Sequence, residues 1–288
     1  MTNKATIAII GGSGLYQMKG LEHTEEIVVD TPFGKPSAPI TIGTLEGSQV
    51  AFLARHGIGH HITPTEVPYR ANIYALKSLG VERVVSISAC GSLREDYAPG
   101  DIVIPDNIFD FTKDRTRSFF GEGLVAHISV ADPFCNNLSS QLEASLNGTG
   151  ATTHRGGSLI TIEGPRFSTK AESHTYRSWG MSIIGMTASP EAFLAREAEM
   201  CYATMAHVTD YDVWHESESP VTVEMVIQTL NKNTEIAQDA IRNLVRAMNN
   251  ERTCSCSQAL ATALITSPKV IPAETRKKLD LLVSKYLT

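Results

Sequence analysis

The chain has 288 residues, 42% of them hydrophobic and 19% charged, enough apolar surface to bury a sizeable core and too much for a disordered chain. A formal net charge of -6 excludes a broad electrostatic grip on nucleic acid or an anionic membrane, so neither partner is expected and any phosphate site must be local. The five cysteines are an odd number in a chain without a secretory signal, which favours reduced thiols and a cytoplasmic location.

The first apolar run, Ala5 to Ile10, has the composition of a strand and leads into Gly11-Gly12-Ser13-Gly14. Two readings stand for this turn: a cradle that aims backbone N–H groups at an anion, or a plain tight turn. A dinucleotide fingerprint fails, because Gln17 stands where the third glycine of G-x-G-x-x-G belongs, and there is no Walker lysine. Pro39 to Gly43 and Gln49 to Ala54 are further β-rich runs, the second ending at Arg55-His56. An arginine fork and an imidazole just past a strand suit phosphate, whereas His60 and His61 lack a carboxylate or cysteine at coordinating spacing and fit loop positions.

Arg83 to Ser88 is a strand running into the small residues Ala89-Cys90-Gly91-Ser92, where backbone can approach a ligand and Ser88 can offer a hydroxyl; a buried strand with a glycine end is the other reading. Asp101 to Ile104 continues the β pattern, and Phe109 to Ala131, weakly periodic and polar, suggests a long loop. Leu159 to Ile162, Ser182 to Met186 and Cys201 to Val208 are the remaining strands. Between them, Thr169 to Glu172 forms a capping box, and Ser189-Pro190-Glu191 supplies an N-cap, a first-turn proline and an acid at the dipole's positive end.

Thr209-Asp210-Tyr211-Asp212 follows the last strand; on an extended segment residues two apart face one side, so Asp210 and Asp212 can converge and raise one another's pKa. A solvated acidic turn is the competing reading. A helix over Thr222 to Met248 carries Val223, Val226, Ile227, Leu230, Ala237, Ile241, Leu244 and Met248 at helical spacing, and Leu279, Leu282, Val283 and Tyr286 mark a closing helix. Cys254-Ser255-Cys256 offers two thiols without an evident second pair, so no metal site is expected. Without a linker or repeat, residues 1–288 are expected to form one α/β domain, a mixed sheet flanked by helices, with the helical segment from about 222 to 288 included.

Together these pieces resemble the 5′-methylthioadenosine phosphorylase family within the trimeric purine nucleoside phosphorylases. The likeness runs from Gly11-Gly12-Ser13-Gly14 through Asp30 to Pro36, Ala54 to Gly57, Ala89 to Arg94, Ala131 to Cys135, Thr161 to Ser168, Met186-Thr187 with Pro190-Glu191, and Thr209 to Asp212. It implies a purine nucleoside phosphorylase-like fold and the phosphorolysis of methylthioadenosine to adenine and 5-methylthioribose 1-phosphate, a salvage reaction using inorganic phosphate and no cofactor. It further implies a phosphate site of Ser13, Arg55, His56, Ser88, the Ala89 backbone and Thr187. Met186 would lie beside the ribose and Phe167 against the purine face. Asp210 would reach N7 and Asp212 the 6-amino group. Val223 and Val226 would line the pocket for the 5′ substituent, with ordinary core packing as the alternative, and His127 would reach the neighbouring subunit's site in a homotrimer or dimer of trimers.

Ser13 and Ser88 stand where some members carry threonine, which keeps the hydroxyl and loses a methyl. A 6-oxopurine nucleoside or methylthioinosine phosphorylase is the nearest rival. A non-enzymatic nucleotide-binding module would leave Arg55-His56 and the aspartate pair without a purpose.

Overall fold

A computed structural model describes residues 5–12, 18–215, 222–249 and 251–287, so Ser13 lies outside the described residues, as does the side chain of Val226. In chain order the strands are β1 (Ile7–Gly11), β2 (Glu22–Ile27), β3 (Ile40–Leu45), β4 (Ser48–Ala54), β5 (Arg83–Ser92), β6 (Ile102–Ile104), β7 (Asn107–Phe111), β8 (Thr153–Arg155), β9 (Ser158–Ile162), β10 (Ile183–Gly185) and β11 (Cys201–Asp210). The helices are α1 (Tyr69–Ser78), α2 (Asn136–Ser145), α3 (Lys170–Ser178), α4 (Ala188–Glu197), α5 (Val223–Ala247) and α6 (Ala273–Val283). All the described strands join one mixed sheet, with β2-β3-β4-β1-β5-β10-β9-β7 as its main path and β11, β6 and β8 branching from β5.

The sheet is covered on both faces. On β1, Ala8 and Ile10 pack in a cluster with residues of α1, α4 and α6, while Ile7 and Ile9 pack in another with residues of α2 and α5. This is why β1 is a continuous apolar run rather than an alternating one. β2, of sequence Glu-His-Thr-Glu-Glu-Ile, is an exposed edge strand that no apolar pattern announces; its charges guard a free edge. The segment expected as a loop from Phe109 begins inside β7, which pairs parallel with β9, and is irregular only beyond it.

The capping box at Thr169 forms as expected: Thr169 Oγ1 accepts from Glu172 N, and Glu172 Oε2 accepts from Thr169 N. Ser189 has non-helical backbone angles inside α4 and its peptide bond to Pro190 is cis, so regular helix starts at Pro190.

One topological detail makes the site. β5 pairs with β1 as far as Ser86 and with β10 only from Gly91, while its other edge pairs with β11 over its length. Ile87 to Cys90 therefore turn one edge of their backbone toward a gap between β1 and β10, where N–H and C=O groups must find partners outside the sheet.

Candidate active site

That gap opens into a cavity of about 590 Å³, the size of a small-ligand site. Its wall includes Arg55, His56, Ser88, Ala89, Phe167, Met186, Thr187, Asp210, Asp212 and Val223, so ten residues singled out in the sequence converge on one chamber. His127 is not among the lining residues; it is exposed, and its N–H donates to Ala263 O at 2.9 Å.

At the β5 end of the chamber the groups suit an anion. Thr187 precedes α4, and its hydroxyl makes no cap hydrogen bond. Ser88 and Ala89 are half-buried on the stretch of β5 that pairs with β11 on one side and faces the gap on the other. Arg55 is not the free fork that its sequence position suggests. Its Nε donates to Glu191 Oε2 at 2.8 Å and its Nη2 to Glu191 Oε1 at 2.9 Å, with Ser86 Oγ, Ile10 O and Ile87 O as further acceptors. Burial works against the charge, but the Glu191 carboxylate outweighs it and holds the guanidinium above its ordinary pKa. By donor inventory, the second Nη1 N–H is what Arg55 has left for a ligand.

Glu191, the first-turn acid of α4 as sequence reasoning placed it, is also the buried counter-ion of Arg55 and accepts a further hydrogen bond from Tyr202 Oη at 2.8 Å. His56 donates from Nδ1 to Ile62 O at 2.9 Å and stacks on His60 at 4.4 Å. Burial and the Arg55 charge press its pKa down to about 4, so the ring is neutral at pH 7 and Nε2 is an acceptor, suited to the hydroxyl of a hydrogen phosphate.

Across the chamber lies the acid pair. Asp210 ends β11, where the register against β5 slips between Val208 and Asp210, and Asp212 sits at φ 53° in the following turn. The two carboxyls thus converge through a bulge and a left-handed turn residue, not through the strand alternation expected from spacing alone. Asp212 N donates to Asp210 Oδ1 at 2.7 Å, and Thr209 Oγ1 lies 2.6 Å from Asp210 Oδ2. Burial, with a smaller push from Asp212, raises Asp210 from 3.8 to about 6. Burial also raises Asp212, with the Ser173 and Ser168 hydroxyls pulling the other way.

Gly91 is required here: a Cβ on it would stand 2.9 Å from Asp210 Oδ1 and 3.0 Å from Ile184 Cγ2. An aromatic face (Phe167), a thioether (Met186) and the aliphatic Val223 and Ile227 complete the wall, the last two one helical turn apart on α5.

Sequence reasoning missed the brace behind Met186. Arg115 Nη1 donates to Met186 O and Ser189 O, each at 2.7 Å, and to Tyr69 Oη, while Nη2 donates to Glu163 O at 2.7 Å. One buried arginine thus fixes both strand ends beside the expected ribose position, and nothing in its local sequence signals this. His207, Asn233 and Thr234 also line the chamber without a sequence signal.

Residues 6–246 match the phosphorylase superfamily. The S-methyl-5′-thioadenosine phosphorylase of Geobacter sulfurreducens is 54% identical over 282 residues, covering 98% of this chain and 99% of that protein. That of Hyperthermus butylicus is 52% identical over 266 residues, covering 91% and 96%. A crystal structure of a methylthioadenosine phosphorylase from an antarctic soil metagenomic library superposes with a TM-score of 0.93 at 49% identity, covering 97% of this chain and 99% of that one. A Schistosoma mansoni methylthioadenosine phosphorylase in complex with adenine superposes with a TM-score of 0.81 at 33% identity, covering 98% of each chain.

Proposed function

This chain belongs to the phosphorylase superfamily, and on that premise we propose that it cleaves S-methyl-5′-thioadenosine with inorganic phosphate, giving adenine and 5-methylthioribose 1-phosphate. The observation that carries this reading is the chamber itself, with hydroxyls, gap-facing strand backbone and a held arginine at one end and a buried aspartate pair at the other. The first set can orient a phosphate oxygen toward the anomeric carbon without a metal or organic cofactor.

As the C1′–N9 bond breaks, its electrons pass to the purine, and Asp210, its pKa pushed up to about 6, hands a proton to N7. Phosphate then bonds to C1′ of the oxocarbenium-like sugar. Asp212 accepts an N–H from the 6-amino group and repels a 6-oxo group, which sets adenine above hypoxanthine. The apolar Val223 and Ile227 suit a methylthio group better than a hydroxyl, and Val226 would join them. Ser13 would complete the phosphate ring of donors from the glycine turn.

The enzyme works as a homotrimer or a dimer of trimers in the cytoplasm, with His127 supplied to a neighbour's site. Exposed Phe109, Phe111 and Trp179, packed against one another at 5.8 to 6.3 Å, support such an assembly as an apolar patch in need of cover. Among the described residues no helix is long and apolar enough to cross a membrane. The test is a substrate panel of methylthioadenosine, methylthioinosine, adenosine and inosine, each with and without phosphate. Phosphate-dependent adenine release from methylthioadenosine is expected, and preferential release of hypoxanthine would assign the chain to the 6-oxopurine rival.

A further inference from the structure

The expectation that Cys254 and Cys256 lack a second pair is overturned by the fold. Cys135 caps the N-terminus of α2 and Cys201 opens β11; their sulfurs and those of Cys254 and Cys256 all lie within 4.8 Å of one another. The three segments are far apart in sequence. They meet because α2 packs on β11 and on α5, whose end leads into the Cys254 turn.

We propose that these four cysteines form a structural zinc site, Zn(Cys)4, that fastens the segment after α5 to the sheet. Sulfurs bound tetrahedrally at a zinc–sulfur distance of about 2.3 Å stand about 3.8 Å from one another. The cluster, with Cys201 Sγ and Cys254 Sγ 3.3 Å apart and every pair within 4.8 Å, brackets that spacing. No pair is joined: all four cysteines are free.

The surroundings suit thiolates. Leu138 N–H points at Cys135 Sγ from the first turn of α2, and Arg196 Nη1 lies 3.4 Å from Cys256 Sγ, a cation placed to offset the negative charge that four thiolates leave on a divalent ion. Cys135, Cys201 and Cys256 are buried among Leu138, Leu142 and Val245, while Cys254 is half-exposed and offers an entry path. Binding releases the thiol protons to solvent, with no change of oxidation state. The site lies at the opposite end of β11 from Asp210, roughly 30 Å away at strand rise, so its role is to hold the fold rather than to react.

The test is metal analysis of the full-length enzyme purified under argon with reductant, followed by cobalt exchange. The expected result is one zinc per chain, replaced by cobalt with the intense visible bands of a tetrahedral thiolate complex. Cys254→Ser, at the half-exposed ligand, should abolish those bands and lower the thermal midpoint while the far-ultraviolet dichroism stays that of a folded chain. Metal-free protein with all thiols titratable, iron in place of zinc, or a non-reduced mass short of two or four hydrogens from disulfides would each overturn the proposal.

Discussion

Replacing Asp210 by asparagine separates what this carboxyl does for the reaction from what its burial costs the fold. Below pH 3.8 the group is neutral in folded and unfolded chains alike, and between 3.8 and about 6 only the folded chain keeps the proton. Stability that depends on this proton is therefore present at low pH and lost as pH rises through about 6. Above that, the folded state carries a buried charge, and the shift from 3.8 to about 6 corresponds to a penalty of about 3 kcal/mol as an upper figure. Asparagine keeps an oxygen for the Asp212 N–H and carries no charge, so Asp210→Asn should be more stable than the parent by up to about 3 kcal/mol at pH 7.5, with the gap closing toward pH 4.

Turnover should fall at least about 100-fold if Asp210 protonates the base as proposed, since an asparagine amide can hydrogen-bond N7 but cannot give it a proton. Urea unfolding of the ligand-free proteins at fixed protein concentration across that pH range, with initial rates at pH 7.5, reads both. A variant that is no more stable at pH 7.5, or whose advantage does not change with pH, would refute the burial argument.

Further substitutions probe the rest of the chamber. Glu191→Gln strips the counter-charge from buried Arg55 and should cost about 3–5 kcal/mol in urea unfolding, with a higher KM for phosphate; a loss below about 1 kcal/mol would contradict the buried pair. Thr187→Val should raise the phosphate KM about tenfold with little effect on the nucleoside KM, as measured by varying each substrate in turn. Gly91→Ala drives a methyl to 2.9 Å from Asp210 Oδ1 and should lower kcat between about tenfold and a hundredfold, with dichroism unchanged. Asp212→Asn should shift the ratio of kcat/KM for methylthioadenosine and methylthioinosine toward the 6-oxo substrate, and an unchanged ratio would remove Asp212 from base recognition.

Much of the fold is legible where one chemical demand acts alone. β1, β4 and β11 are buried on both faces and so appear as apolar runs, and the Thr169 box announces α3 by its own hydrogen bonds. β2 escaped because an edge strand is selected for charge. Arg55 and Glu191 were each visible, but their pairing was not, since 136 residues separate them. Arg115 and the four-cysteine cluster escaped for the same reason: their partners come from distant segments that only the sheet brings together. Asp210 and Asp212 were found by spacing, yet they converge through a bulge and a left-handed residue, geometry that spacing does not encode.

The most direct test of the central claim is phosphorus NMR of the enzyme with methylthioadenosine and inorganic phosphate. A sugar 1-phosphate resonance should grow in step with free adenine. Adenine appearing with the phosphate signal unchanged, and free methylthioribose as its partner, would mean that water rather than phosphate attacks the sugar and would contradict it.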